Sequence, residues 1–208
     1  ESDTVETRTG IDVSVYQGDI DWEAVKNDGI DFAIIRLGFR GYGESGSMNL
    51  DRNFTANLEG AIAAGLDVGV YFFSQAITVE EAAEEAEFVL SYLDGYDLTY
   101  PVVFDWEVIG TETARTYGLD TETLCACANT FCSMVEEAGY EAMIYLTSYA
   151  GYIKYDLSQV MEYGFWFAQY SDTPDFYYDF QMWQYSSTGS VDGISGDVDL
   201  NLQLIRKE

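Results

Sequence analysis

The chain contains no histidine among its 208 residues. That absence removes His-based triads, His-ligated zinc and imidazole general bases together. Any acid–base chemistry must fall to carboxylates, tyrosines, cysteines or lysines. Basic residues are scarce as well: 9 Lys and Arg against 37 Asp and Glu leave a net charge of −28. Nucleic-acid phosphates and anionic membrane surfaces repel such a chain, so neither is expected as a partner. A neutral or weakly charged ligand fits the charge best. No apolar run approaches the roughly 20 residues that span a bilayer, so membrane insertion is not expected. No Gly-x-Gly-x-x-Gly turn follows the first strand-like run, which argues against a dinucleotide site, and no cofactor is expected.

Cysteine is limited to Cys125, Cys127 and Cys132, all within one expected helix. Their spacing along that helix suits neither a disulfide nor a zinc site built from two clusters. They read as free thiols that behave as small hydrophobes. Cys127 falls nearest the apolar stripe of Leu124, Ala128, Phe131 and Val135, and Cys125 falls farthest from it.

What is present is an apolar fraction of 48% in a length that suits one domain. Residues 1–9 are polar and read as a disordered or trimmed tail ahead of a single domain over residues 10–208. Within that domain strand-like runs alternate with helical patterns. Ile11–Val15 is followed by a helix capped by Asp21 that stops at Gly29. Ile30–Leu37 leads into a Gly-rich loop, Gly38 to Gly46, and then a helix with Phe54, Leu58, Ala61 and Ile62 on one face. After Val68–Phe73, Thr78 and Glu81 form a capping box for a helix striped by Ala82, Ala86, Val89 and Leu93. Pro101–Glu107, the cysteine helix and Glu141–Leu146 follow. Beyond about residue 147, Phe165–Tyr170 and Phe180–Tyr185 are strand-like, with no good helix between them. Alternation of this kind predicts a parallel sheet with helices outside. Roughly eight strands in this length predict an α/β fold, a TIM-like (β/α) barrel with helices missing in the C-terminal third.

The fourth strand ends in Asp105-Trp106-Glu107. Side chains alternate along a strand, so the two carboxylates share a face, roughly 7 Å apart. In a barrel, strand parity separates the faces that pack on helices from those that point inward. Ile11 and Val13 belong outside, which turns Asp12 inward. By the same rule Val102, Phe104 and Trp106 face out, leaving Val103, Asp105 and Glu107 inside. Tyr71, Phe73 and Tyr145 join them. Carboxylates beside aromatic rings suit a sugar-binding cleft, because each ring offers a flat apolar face with a polar tip. Arg36, at the end of an apolar strand, is placed to brace the acids, although a plain exposed strand end reads equally well.

The chain resembles the glycoside hydrolase family 25 lysozymes, N-acetylmuramidases that cleave bacterial peptidoglycan. The resemblance covers about residues 10 to 204. It rests on Gly10-Ile11-Asp12-Val13-Ser14 with Tyr16-Gln17-Gly18, Asp21-Trp22, Phe32-Ala33-Ile34-Ile35-Arg36 and Gly69-Val70-Tyr71-Phe72-Phe73-Ser74. It continues through Asp105-Trp106-Glu107, Trp166-Phe167-Ala168-Gln169-Tyr170, Trp183-Gln184-Tyr185-Ser186-Ser187 and Gly196-Asp197-Val198-Asp199-Leu200-Asn201. The resemblance implies a barrel with a reduced set of helices and four active-site acids at Asp12, Asp105, Glu107 and Asp199, with Glu107 as proton donor. It further implies that Trp166, Gln169, Trp183 and Gln184, within the shared motifs, contact substrate. Val15 and Phe72 stand where the family often has histidine.

Those implications make the expected partner a peptidoglycan glycan strand, met outside the cell or at its wall by a monomer. Glu107 would protonate the leaving oxygen, and Asp105 would steady a 2-acetamido group acting as internal nucleophile. A rival scheme has Asp105 or Asp12 activate water with inversion. A chitinase-like hydrolase is a second possibility, but Pro101 and Val103 stand where such enzymes carry further acids. A non-catalytic sugar-binding module is a third. Asp197 and Asp199 as calcium ligands are a fourth, but their turn is short and lacks the glycine spacing of a calcium loop, so no metal is expected. The charge carries its own consequence. Gram-positive walls hold anionic polymers that repel a −28 chain, so added salt is expected to speed wall digestion over the low range. A turbidity assay across ionic strength checks this, and a rate that falls monotonically with salt counts against it.

Overall fold

The computed structural model describes residues 5–207. Nine strands and four α-helices follow one another as β1 (Val5–Val13), α1 (Trp22–Asn27), β2 (Phe32–Arg40), β3 (Met48–Leu50), α2 (Phe54–Ala63), β4 (Asp67–Ser74), α3 (Val79–Leu93), β5 (Val102–Trp106), α4 (Thr121–Glu137), β6 (Ala142–Thr147), β7 (Phe165–Ala168), β8 (Met182–Gly189) and β9 (Val198–Arg206). Eight of the strands close a barrel in the order β1-β9-β8-β7-β6-β5-β4-β2, with β2 returning to β1. The short β3 adds only to the end of β2. After β6 the chain makes a π-helical turn (Ala150–Lys154) and two short 3-10 turns instead of an α-helix. The barrel and the loss of helices therefore agree with the sequence pattern.

One feature departs from an all-parallel sheet. β9 runs antiparallel to both β8 and β1. The chain leaves β8 through a turn over residues 190–197, with no helix to carry it back along the barrel. Without a crossover the next strand must run the other way. The N-terminal tail also differs from expectation. Residues 5–9 belong to β1 and pair with β9 from Val5 opposite Arg206 onward, while residues 1–4 lie outside the described part. Val5, Thr7 and Thr9 are β-branched and suit a strand despite the polar composition. The expected loop at Gly38–Gly46 is partly strand, because Gly38 lets the Asn49 carbonyl approach; a Cβ there would lie 2.4 Å from that oxygen.

Parity sorts the core into two layers. Ile11, Val13, Val102, Phe104, Ile144 and Leu146 pack outward among the helices, whereas Phe32, Ile34, Val103, Met143 and Trp166 fill the barrel. Asp21 caps α1 by accepting from Ala24 N at 3.1 Å, as its position predicts. Thr78 caps α3 through Glu81 N, but the Glu81 carboxylate accepts from Ile77 N instead of closing the box. The three cysteines are free and buried. Cys125 is as deeply covered as Cys127, because the irregular chain after β6 folds over that face and Asp156 N donates to its sulfur at 3.4 Å.

The floor of the barrel depends on a close approach at Gly10. A Cβ there would lie 2.2 Å from Cζ of Phe32, a ring stacked on Tyr100 at 4.3 Å and unable to swing away. Gly10→Ala is expected to destabilise the protein by about 1–3 kcal/mol through overpacking. Denaturant unfolding checks this, and an unchanged midpoint would contradict the packing.

Candidate active site

Strand register assembles the site. β1 and β9 pair Asp12 with Asp199. Asp105 on β5 stands between Phe73 on β4 and Tyr145 on β6, and Tyr145 stands beside Trp166 on β7. These residues open at the C-terminal ends of the parallel strands. Because β9 is reversed, Asp199 reaches the same end from near the start of its strand. Together they line a cleft of about 480 Å³ that includes all four acids and Arg36, Tyr71, Phe73, Tyr145, Trp166 and Gln184.

A buried hydrogen-bond network orients the acids. Asp12 Oδ2 accepts from Gln184 Nε2 and from Asn201 Nδ2, both at 2.8 Å. Gln184 Nε2 also reaches Asp199 Oδ2 at 3.4 Å. Gln184 Oε1 accepts the hydroxyls of Tyr145 at 3.0 Å and Tyr170 at 3.1 Å. Both ends of that amide are thus engaged, and its orientation follows from chemistry. Asn201 is held in turn by Trp166 Nε1, which donates to its Oδ1 at 2.8 Å. Asp105 differs from Asp12: its Oδ1 is buried and has no partner.

Every acid in the cluster holds its proton more tightly than usual. Burial, then the Asp199 charge, pushes Asp12 up to about 8. Burial pushes Asp105 well above the ordinary range, with Glu107 and Asp12 adding to the rise and Arg36 opposing it. Glu107 is raised by burial and by Asp199. Asp199 is raised by burial, while its hydrogen bond with Asp12 holds the rise back. The elevation expected at Glu107 is therefore present, but it is shared, and the deeper Asp105 carries more of it.

Two expected substrate contacts do not reach the cleft. Trp183 faces outward, where its Nε1 donates to the Gln169 carbonyl at 2.9 Å. Met182 and Gln184 take the inward positions on β8, and neighbours on a strand cannot share a face. The Gln169 side chain closes its own loop instead, donating to Asp175 Oδ1 at 2.6 Å and accepting from Asp175 N at 2.9 Å. Arg36 lines the cleft but braces the acids only through its charge. Its hydrogen bonds go to Asp51, with Nε and Nη2 each 2.7 Å from Oδ2. Asp51, Asn201 and Tyr170 are the positions that sequence reasoning missed. Asn201 and Tyr170 stood inside recognised motifs, and Asp51 stood just before a helix. Asp197, half of the calcium alternative, is exposed in the turn before β9.

Neighbouring acids with raised proton affinity suit acid-assisted cleavage of a glycosidic bond, the chemistry of the glycoside hydrolases as a class. The chain belongs to the glycosyl hydrolases family 25, whose model matches residues 11–194. It is 30% identical over 202 residues to Lysozyme M1 of Streptomyces globisporus, which covers 92% of this chain and 66% of that protein. It is 28% identical over 194 residues to an autolytic lysozyme of Clostridium acetobutylicum, covering 92% of this chain and 54% of the relative. The chain thus spans less than two thirds of the length of both relatives. The solved structure of a bacterial lysozyme from Streptomyces coelicolor matches with a TM-score of 0.78 at 29% identity, covering 93% of this chain and 90% of that one.

The Asp12 shift has a definite sign. Its folded pKa lies above the unfolded value near 4, so its stabilising contribution is complete below pH 4 and is lost as pH rises toward 8. Asp12→Asn stays neutral and can keep the bonds from Gln184 and Asn201. Its melting temperature relative to wild type is expected to rise from pH 4 to pH 8. A pH-independent difference in paired thermal melts would contradict a neutral Asp12.

Proposed function

We propose that this chain hydrolyses the β-1,4 bond between N-acetylmuramic acid and N-acetylglucosamine in peptidoglycan, retaining the anomeric configuration with help from the substrate. The observation that carries this reading is the buried, unpartnered Oδ1 of Asp105 two residues from the half-buried Glu107. A carboxylate oxygen left unpaired in a dry site is costly unless a ligand completes it. A substrate N–H would do so and would favour the ionised form.

Glu107, at the more open side of the cleft, donates its proton to the leaving glycosidic oxygen as the C1–O bond breaks. The 2-acetamido carbonyl oxygen closes on C1, and Asp105 accepts the acetamido N–H and steadies the charge of the cyclic intermediate. Water then opens that intermediate on the face the leaving group vacated, while Glu107 takes the proton back. Asp12 and Asp199, tied to Gln184 and Asn201, hold the sugar ring in place. Tyr71, Phe73, Tyr145 and Trp166 wall the cleft against water. The site of action is the wall, outside the cytoplasm, and the working form is a monomer. The lysozyme names of the relatives support this setting.

Glu107→Gln is expected to lower kcat on purified peptidoglycan about 10²–10⁴-fold. Turnover close to normal would remove the acid assignment. Proton NMR should show the first-formed product with the β configuration, and mass spectrometry of reduced products should place the new reducing end on N-acetylmuramic acid. An inverted product would remove the substrate-assisted scheme while leaving hydrolysis intact.

A further inference from the structure

The cleft does not stop at the four acids. It continues past Arg36 along the β2–β3 hairpin, where Tyr16, Phe39 and Tyr42 line it. Tyr16 and Tyr42 are 82% and 56% exposed, so two large rings stand in water at the wall of a binding cleft. Their backbones are nevertheless fixed. Tyr16 lies in a turn closed by Ser14 N donating to Gln17 Oε1 at 2.9 Å and by its own N donating to Ser14 Oγ at 3.3 Å. Its ring lies 5.0 Å from the guanidinium carbon of Arg36. Tyr42 sits in a hairpin tip held by Gly41 N to Ser47 O at 2.9 Å. Its carbonyl accepts from Arg115 N at 2.9 Å, which ties the hairpin to the loop that begins at Glu107.

We infer that this arm is a further saccharide subsite, in which the faces of Tyr16 and Tyr42 take an N-acetylated pyranose ring of the same glycan strand, away from the bond that is cut. The chemistry favours a neutral ring over an anion. Arg36 is paired with Asp51, and Arg40 is paired with Glu84 and Glu85, so neither offers a free charge. A pyranose presents an apolar face of C–H groups to a tyrosine ring and hydroxyls to its tip. Tyrosine loses little rotamer freedom on binding, and the pinned backbones lower the ordering cost further. Continuity with the acid cluster makes the occupant the next part of the same strand.

The inference rests on the glycan-hydrolase reading above, and the test separates the two. Alternating N-acetylglucosamine and N-acetylmuramic acid oligosaccharides of two, four and six units are titrated calorimetrically into the Glu107→Gln protein. Affinity is expected to grow with length. Adding Tyr16→Ala and Tyr42→Ala is expected to lower affinity for the longest oligomer about three- to tenfold and to abolish the gain with length, whereas Tyr16→Phe with Tyr42→Phe retains it. Both side chains are exposed, and thermal melts verify that the variants fold. A gain with length that survives both alanines, an absence of gain in the parent, or loss in the phenylalanine pair would overturn the subsite. If the parent binds no oligomer and the wild type releases no reducing ends from peptidoglycan, the hydrolase reading falls, and the subsite with it.

Discussion

β9 runs against both of its neighbours, and the chemistry of the cleft depends on that reversal. In a wholly parallel barrel, a residue near the start of a strand faces the closed end. Here Asp199 is the second residue of β9 and stands opposite Asp12, near the end of β1. The same reversal brings Asn201 two residues farther in, where it bonds Asp12 and Trp166. Asp199 and the Asn201 amide that holds Asp12 are therefore both placed by a single choice of strand direction. That choice follows from the connection over residues 190–197, which is too short for the crossover that parallel neighbours need; the longer, equally helix-free connection between β7 and β8 leaves those two strands parallel.

Gathering four carboxylates in one cleft is unfavourable, and the surroundings show how the protein tolerates it. At Asp12 burial outweighs the hydrogen bonds and raises the carboxyl's hold on its proton. Gln184 gives its amide hydrogens to the carboxylates and takes two tyrosine hydroxyls on the other side, so no end of it is left wanting. Arg36 is the cation that opposes the rise at Asp105. A second buried network lies behind the wall. Arg40 Nε donates to Glu85 at 2.7 Å and Ser74 Oγ donates to it at 2.6 Å. Burial still lifts Glu85 to about 7. Gln75, beside this pair, accepts from Thr116 at 2.8 Å and reaches the Glu107 carbonyl at 3.4 Å. The loop carrying the acid is in this way anchored to the end of β4 and the start of α3.

Much of the fold and part of the site were legible in the chain. Strand parity placed Asp12, Tyr71, Asp105 and Tyr145 inside, because a period of two leaves each residue only two faces and the helices claim the apolar one. The same rule, applied to Trp183 and Gln184, would have shown that only one of them could reach the cleft. Gln169 was harder to read, because it follows the end of β7 and loop geometry has no such period. Cys125 was misplaced for a related reason. Helical periodicity describes one face of α4 and is blind to an irregular segment that covers another.

The sequence by itself determined the barrel class, the exclusion of histidine chemistry, and the inward direction of three of the four acids. These depend on composition and on local periodicity, which are properties of short stretches of chain. The tertiary structure alone decided the pairing of Asp12 with Asp199, the diversion of Arg36 to Asp51 and the unpartnered oxygen of Asp105. Each of these is set by contacts between residues far apart in sequence, where hydrogen-bond geometry and shared burial select among partners that composition leaves equivalent.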